Sequence, residues 1–489
     1  MGTNSSNGKA LKAGVWYTAS NFIVKAAGFL TTPIFTRLLS AEDVGAFSNI
    51  QSWFYILVII TTFDLFSAIA VARFDYKDDL NEYIASTLVL GTTITIVFYV
   101  AALVFWDFFL DLFQIDTVSF HLIMLYCLVY PALQMYQMKA RIEYNYKTSV
   151  VLSLGSVLGS TLCSLIMVLL CSNKLFGRVS GFFVPVIILN IGIYVVLIKR
   201  AKFISTKYWK YALTISIPLI WHTLAGNLLN SSDRIMITRF CGKSDNALYS
   251  IAYSCAIIVS VLWASMNTAW SPWAYEKMDE ENYSALRKAS KPYMLFFGLV
   301  VFCFLLVAPE VLMLMGGKKY ITAIGVIPPV MIGYVFQFVY SLYVNIEFYS
   351  KKQNYIAVGT TIAALTNVAL NWIFIPRFGY VAAAYTTLFG YAVLFTVHFL
   401  FVSKLGKLWW YDTKFNLLFL TGAIGVMFIS LGLYHFTLVR YVIIALLALI
   451  VIYTAWKIQD EIRETVKTRS LSPLINGVRK IFTGRFSKG

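Results

Sequence analysis

From residue 13 to residue 457 the chain is a succession of apolar runs about 20 residues long, separated by short charged punctuation. This rhythm constrains the fold more than any other feature. A helix needs a run of that length to cross ~30 Å of hydrocarbon. Inside lipid only helices and closed barrels satisfy their own backbone, and continuous runs of this length specify helices. Of the 489 residues, 59% are hydrophobic and 13% charged, more apolar surface than a water-soluble fold of this size could cover. The expected fold class is therefore an all-α integral membrane protein. Fourteen spans can be read, at 13–36, 46–72, 84–106, 118–138, 149–171, 180–198, 211–237, 247–274, 292–315, 323–349, 355–375, 379–402, 415–434 and 441–457. The first is not expected to be a cleavable leader, because Lys25 interrupts it and no small-x-small site follows.

Basic residues orient the spans. With the N-terminus inside, inner segments hold 29 of the 40 Lys and Arg and outer segments hold nine. An even number of spans then places both termini in the cytoplasm. The net charge of +17 reads as this topological bias, and no nucleic-acid partner is expected without a soluble basic domain to hold one. The six cysteines are scattered and form no CxxC pair, which argues against disulfides and zinc. The chain has no Walker A sequence, no HExxH and no GxSxG, and its outer loops are short. No catalytic residue, cofactor or metal is expected.

The chain also repeats itself. TRLLSAEDVGAFS at 36–48 returns as TRFCGKSDNALYS at 238–250, an offset of 202. Ile142-Glu143-Tyr144 returns as Ile346-Glu347-Phe348 at an offset of 204, and Phe176-Gly177-x-Val179 as Phe378-Gly379-x-Val381 at 202. The copies lie six spans apart, so both insert the same way up. That is the parallel kind of repeat, with a substrate site expected between the halves. The expected organisation is an N-lobe of six spans over 1–200, a C-lobe of six over 201–403, an accessory pair over 404–458 and a cytoplasmic tail over 459–489. In the tail, Leu474, Val478, Ile481 and Phe482 share a face against Arg479, Lys480 and Arg485. Anionic phospholipid is its expected partner, and a disordered tail is the alternative.

Asn21, Lys25, Gly28 and Thr32 fall on one face of span 1, and adding 202 gives Thr223, Asn227, Asn230 and Arg234 on one face of span 7. Polar stripes avoid lipid, so the two helices are expected to line a shared cavity. Asn21, Lys25, Thr223, Asn227, Asn230 and Arg234 are the candidate substrate contacts, with ordinary interhelical hydrogen bonding as the alternative for the uncharged ones. Lys25 lies ~18 Å deep at 1.5 Å per residue, which favours cavity lining over snorkelling or a structural pair, whereas Arg234 is nearer the outer face, where snorkelling is the alternative. Arg37 and Arg239 sit at outer helix ends, as cavity-mouth or headgroup contacts. Asp64, the deepest acid, is a candidate carrier of a coupling ion or else a partner for Lys25. Asp233 and His222 are further coupling candidates. Neighbours at i, i+1 on a helix do not face each other, so Asp233 and Arg234 are expected to find separate partners.

Three motifs carry a family likeness: PxxTRxLSxEDxGxxS over Pro33–Ser48, DRxxIxxF over Asp233–Phe240, and IPxFGxxxAA over Ile375–Ala384. In these and in its 6 + 6 + 2 arrangement of spans, the whole chain resembles the polysaccharide transporter family. These are the oligosaccharide-lipid flippases of the multidrug/oligosaccharidyl-lipid/polysaccharide superfamily. The resemblance implies a flippase of the bacterial inner membrane. It would move an undecaprenyl-diphosphate-linked repeat unit of capsule, O-antigen or exopolysaccharide to the outer leaflet by rocking of two lobes, with spans 13 and 14 flanking a groove for the lipid tail. A cationic, amide-rich cavity suits a diphosphate and a glycan. H+, Na+ or the membrane potential would drive the cycle. A monomer is expected, beside other polysaccharide-assembly membrane proteins. The competing readings are a lipid II flippase, a cation-coupled multidrug exporter and a membrane glycosyltransferase or polymerase. Lys25, Arg234 and the two extra spans weigh against the exporter, and short outer loops weigh against the enzyme.

Overall fold

The computed structural model describes residues 27–143 and 145–449, with Trp16, Ser20, Ile23 and Val24 before them and the side chain of His222 excepted. Asn21, Lys25, the His222 side chain and the basic tail therefore lie outside the described residues. Among the described residues every regular element is helical. In chain order they are α1 (27–38), α2 (Ala41–Thr62), α3 (Ile69–Asp75), α4 (Leu80–Val104), α5 (Trp106–Phe113), α6 (Thr117–Ile142), α7 (Tyr146–Leu170), α8 (Lys174–Arg200), α9 (Lys207–Cys241) and α10 (Lys243–Asp279). There follow α11 (Tyr283–Gly316), α12 (Ile327–Tyr349), α13 (Gln353–Phe378), α14 (Tyr380–Lys404), α15 (Thr413–Leu433) and α16 (Thr437–Leu449). Twelve of these, α2, α4 and α6 to α15, are long and apolar enough to cross a membrane.

Local chemistry sets the helix ends. Ser40 caps α2 through a capping box, its Oγ accepting from Asp43 N at 3.0 Å while Asp43 Oδ2 accepts from Ser40. The SxxD inside the first repeat sequence is thus a helix start. Asp116, Asn145, Asn173 and Asn282 cap α6, α7, α8 and α11 with their side-chain oxygens. At the far ends, α9, α11 and α13 each stop at a glycine with positive φ: Gly242 (98°), Gly317 (75°) and Gly379 (73°).

The chain forms two compact units, 1–428 and 429–489, and residues 429–449 are the described part of the second. Within the first unit the pairing of helices repeats: α8 packs on α6 and α7, and six spans later α14 packs on α12 and α13. Ile50, Phe54, Phe120, Phe183 and their neighbours form an aromatic-rich core in the first lobe. The lobes are joined by α9, whose start docks on α4 of the first lobe. There Trp209 Nε1 donates to Ser86 O at 2.9 Å, and Ser205 N to Ser86 Oγ at 2.9 Å. The far half of α9 packs on α13 and α14, and Pro218 lies between the two attachments. The start of α15 is tied to the second lobe by Asn416 Nδ2, which donates to the Tyr343 hydroxyl at 2.9 Å, and by a Lys291–Asp412 ion pair at 2.7 Å. Lys291 and the Phe415 amide hold the Asp412 carboxyl below its usual range.

Span 2 differs from the continuous helix expected over 46–72. It breaks at Phe63 and Asp64, both left-handed with φ of 51° and 49°, and resumes as a 3-10 turn at Leu65–Ala68 followed by α3. The last turn before the break has Thr61 and Thr62 hydroxyls bonded back to Leu57 O at 2.8 Å and Val58 O at 2.5 Å. Apolar periodicity runs straight through such a break, because burial on both sides of it is unchanged.

Candidate functional site

The stripe on α9 lies on one face, and the donors of Asn227, Asn230 and Arg234 turn back to the helix itself. Asn227 Nδ2 donates to Thr223 O at 2.9 Å, Asn230 Nδ2 to Gly226 O at 2.7 Å, and Arg234 Nη1 to Asn230 O at 2.6 Å. Each bond reaches back four residues, which satisfies polar groups where water is scarce. One acceptor reaches another helix: Asn230 Oδ1 takes the Tyr391 hydroxyl of α14 at 2.9 Å.

The expectation that Asp233 and Arg234 find separate partners is overturned. Arg234 Nη1 lies 3.5 Å from Asp233 Oδ1, and the Arg234 amide donates to the same oxygen at 2.8 Å. The short Asp side chain curls over the following peptide while the long Arg folds back along the preceding turn, so the two meet on the flank of the helix. The pair is deeply placed, with 1% of the Asp233 and 13% of the Arg234 side chain exposed. Tyr249 of α10 donates to the other Asp233 oxygen. The guanidinium carbon sits 4.3 Å from the centroid of the Tyr253 ring, and Tyr334 of α12 donates to the Tyr253 hydroxyl at 3.1 Å. A desolvated cation over an aromatic face is stabilised by roughly 2 kcal/mol. Sequence reasoning missed these tyrosines. Their one signal, the i, i+4 spacing of Tyr249 and Tyr253, is lost among 31 tyrosines.

Asp64 sits at the break in span 2 and is 4% exposed. Thr223 Oγ1 donates to its Oδ2 at 3.2 Å, which carries the α9 stripe across to the first lobe. No Lys or Arg among the described residues pairs with it, and Lys25 lies outside them. At interrupted spans of transporters, unwound backbone carbonyls and half-helix ends are the groups that coordinate ions.

Arg37 and Arg239 are joined to opposite lobes. Arg37, at the end of α1, donates through Nη2 to Leu314 O at the end of α11 at 3.3 Å. Beside it Thr36 Oγ1 donates to Met315 O at 2.6 Å, and Lys319 Nζ donates to Leu39 O at 3.0 Å. Arg239, at the end of α9, donates to Asp111 O at 2.8 Å and pairs with Asp111 Oδ2 at 3.0 Å in α5. Leu314 and Asp111 are 203 positions apart, one residue off the repeat offset. The two arginines therefore make matching cross-lobe clasps. Between them, Ser48 Oγ and Ser250 Oγ, themselves repeat partners, share a hydrogen bond at 2.6 Å. Arg37 also lines a cavity of about 510 Å³ with Pro309, Glu310, Met313, Leu314 and Ile321.

Gly45 brings α2 and α10 together at this end. Asn246 Nδ2 donates to Gly45 O at 2.9 Å, and a Cβ at residue 45 would lie 1.7 Å from the Lys243 carbonyl oxygen. Gly45→Leu is expected to force the two helices apart. In a background without the six native cysteines, labelling of Ser250→Cys by a membrane-impermeant thiol reagent should rise several-fold. Unchanged labelling would mean that this contact does not hold the lobes together.

Comparison with known proteins places this geometry. Residues 10–278, more than half of the chain, match the family model described as "Polysaccharide biosynthesis protein". An uncharacterized membrane protein of Methanocaldococcus jannaschii is 24% identical over 467 residues, 86% of this chain and 90% of that protein. Among solved structures, the lipid II flippase MurJ in an inward closed conformation is similar with a TM-score of 0.69 and 15% identity, over 92% of this chain and all of that one. An inward-facing multidrug resistance MATE family transporter of the MOP superfamily is similar with a TM-score of 0.57 and 14% identity, over 78% of this chain and 96% of its own. At these identities the structural likeness concerns the fold alone.

Proposed function

The chain belongs to the polysaccharide biosynthesis protein family, and from that premise we propose that it is a flippase for undecaprenyl-diphosphate-linked oligosaccharide repeat units, working by alternating access in the bacterial inner membrane. Both termini lie in the cytoplasm and the Arg37 end faces outward. The observation that carries this reading is the Ser48–Ser250 contact between repeat partners. The lobes meet at the outer end through the repeat itself, so a rocking motion that parts these serines opens α9 toward the outer leaflet. The substrate brings an anionic diphosphate and a polar glycan. Arg234, Asn227, Asn230 and Thr223, with Lys25 and Asn21 on span 1, are the cavity groups that meet them, and Arg37 and Arg239 govern the outer mouth. The chain carries lipid-linked sugar and does not make or break its bonds.

An H+ or Na+ gradient, or the membrane potential, supplies the energy, since one charge crossing 100 mV yields about 2.3 kcal/mol. Asp64 is the leading carrier, with Asp233 and His222 behind it. The tail binds anionic phospholipid, and the protein works as a monomer beside other polysaccharide-assembly proteins. A lipid II flippase is the second reading, favoured by the MurJ fold likeness along that protein's whole length.

Loss of the gene separates the readings. Cells lacking it should lose surface polysaccharide and accumulate lipid-linked repeat units in the inner leaflet. Normal surface polysaccharide with a failing cell wall would instead assign the lipid II reading.

A further inference from the structure

Glu347 of α12 and His398 of α14 form a titratable pair buried inside the second lobe. Both side chains are 0% exposed, and His398 Nδ1 lies 2.8 Å from Glu347 Oε2. The remaining polar atoms, Glu347 Oε1 and His398 Nε2, have no hydrogen-bond partner among the described residues. Glu347 precedes the end of α12 at Tyr349 by two residues, and His398 precedes the end of α14 at Lys404 by six. At a rise of 1.5 Å per residue the pair lies within roughly 10 Å of the inner ends of both helices.

Three helices close around it. The Tyr340 ring of α12 has its centroid 4.7 Å from that of His398, and Phe401 of α14 is at 6.0 Å. From α13, Gly359 comes so near that a Cβ would lie 2.4 Å from His398 Nε2. Tyr340 is the one other titratable group among these neighbours. No Lys, Arg or second carboxylate among the described residues forms an ion pair with either member. Lys407, at the same end, donates instead to Ser350 Oγ at 2.7 Å.

Two observations set this pair apart from a plain helix–helix pin. A buried unsatisfied group costs about 1–3 kcal/mol, and this one pair leaves two titratable atoms without partners, where the uncharged interhelical pins Asn49 and Asn416 each leave one. The repeat supplies the second. Glu143, the counterpart of Glu347, is 53% exposed and pairs with Lys139 at 3.7 Å, and the position matching His398 at an offset of 202 is Val196. The first lobe packs α6 on α8 without any such pair. The pair is therefore an addition to the second lobe and no part of the shared scaffold.

We propose that Glu347 and His398 form a proton-binding site of the second lobe, filled from the inner face, whose loading is coupled to the flipping cycle. The pair carries one proton without net charge, as carboxylate with imidazolium or as carboxylic acid with imidazole. Losing that proton leaves a buried charge of −1, and gaining a second leaves +1. Both are costly in an apolar site, so a change of occupancy must change the packing or the solvation around it. The incoming proton has two unpartnered atoms to take, Glu347 Oε1 and His398 Nε2. Because the α13 backbone packs against Nε2 at Gly359, loading there moves α13 relative to α14. Such a shift can travel through α12 to α10, where Tyr334 bonds Tyr253 and where Ser250 meets Ser48. Proton binding stands on the geometry alone, and the coupling rests on the flippase reading.

Histidine-selective 15N NMR on the purified wild-type protein tests the site. The chain has four histidines, His121, His222, His398 and His435, so single substitutions assign the signals. The His398 ring-nitrogen signals should respond to pH in the wild-type protein, and Glu347→Gln should change that response. In liposomes the pH profile of flipping should flatten in Glu347→Gln, with thermal stability close to wild type. A His398 signal that keeps one state throughout in the wild-type protein refutes the site, whatever the substrate. A titration that Glu347→Gln moves, with an unchanged flipping profile, refutes the coupling. A titrating His398 in a protein that flips no lipid-linked glycan refutes the flippase reading and leaves the site standing.

Discussion

Oxidised Ser48→Cys/Ser250→Cys protein is expected to flip no substrate above the level of protein-free liposomes, and reduction is expected to restore the wild-type rate. The two hydroxyl oxygens are 2.6 Å apart on helices α2 and α10 of opposite lobes. That separation suits a disulfide, whose Cβ atoms sit about 3.5–4.5 Å apart. The contact lies between the Arg37 and Arg239 clasps, so a covalent bond there fixes the outer end shut while leaving α9 and its stripe untouched. Either single cysteine should transport normally. The six native cysteines are all free and must first be replaced, because Cys241 and Cys171 lie near the same end. Full transport through the cross-linked protein would show that α2 and α10 never part.

Arg234 is the second large effect, and its charge pair allows stability and function to be separated. Arg234→Ala leaves the Asp233 carboxylate, 1% exposed, with Tyr249 as its main support. Breaking a buried pair from one side destabilises by about 3–5 kcal/mol, so this variant should lose both folded protein and transport. Asp233→Asn/Arg234→Gln removes both charges together and leaves a polar side chain at each position, isosteric at 233 and shorter at 234. Most of the stability should return, since a neutral replacement of a buried pair is often nearly neutral in energy. Transport should not return if, as proposed, Arg234 is the cation that meets the diphosphate. Thermal unfolding and flipping, measured on the same preparations, check both statements. A stable double variant that flips at the wild-type rate would make Arg234 a structural residue.

The spans were legible because lipid imposes one length and one backbone solution on every crossing segment. The repeat was legible because the copies kept their helix-end residues, and the offset of 202 reappears in space as the Ser48–Ser250 hydrogen bond. The same offset carried the stripe to Thr223, Asn227, Asn230 and Arg234. Where that stripe directs its donors was not legible. Back-bonding within α9 and the Asp233–Arg234 pair depend on side chains folding along the helix, which a rule about helix faces does not contain. The break at Phe63 and Asp64 was hidden because neither residue is the glycine that normally marks positive φ. The tyrosines around Arg234 and the burial of His398 by Gly359 are tertiary facts, set by helices far apart in the chain. His398 in particular reads in sequence as one polar residue in an apolar run.

The most direct test of the whole account is a flipping measurement with the purified protein in liposomes that carry undecaprenyl-diphosphate oligosaccharide in the inner leaflet. Outer-leaflet glycan is read over time by a membrane-impermeant lectin or oxidant. The account predicts protein-dependent transfer that stops in the oxidised Ser48→Cys/Ser250→Cys variant and resumes on reduction. Transfer no faster than in protein-free liposomes, from a preparation that does move lipid II or a cationic drug, would contradict it.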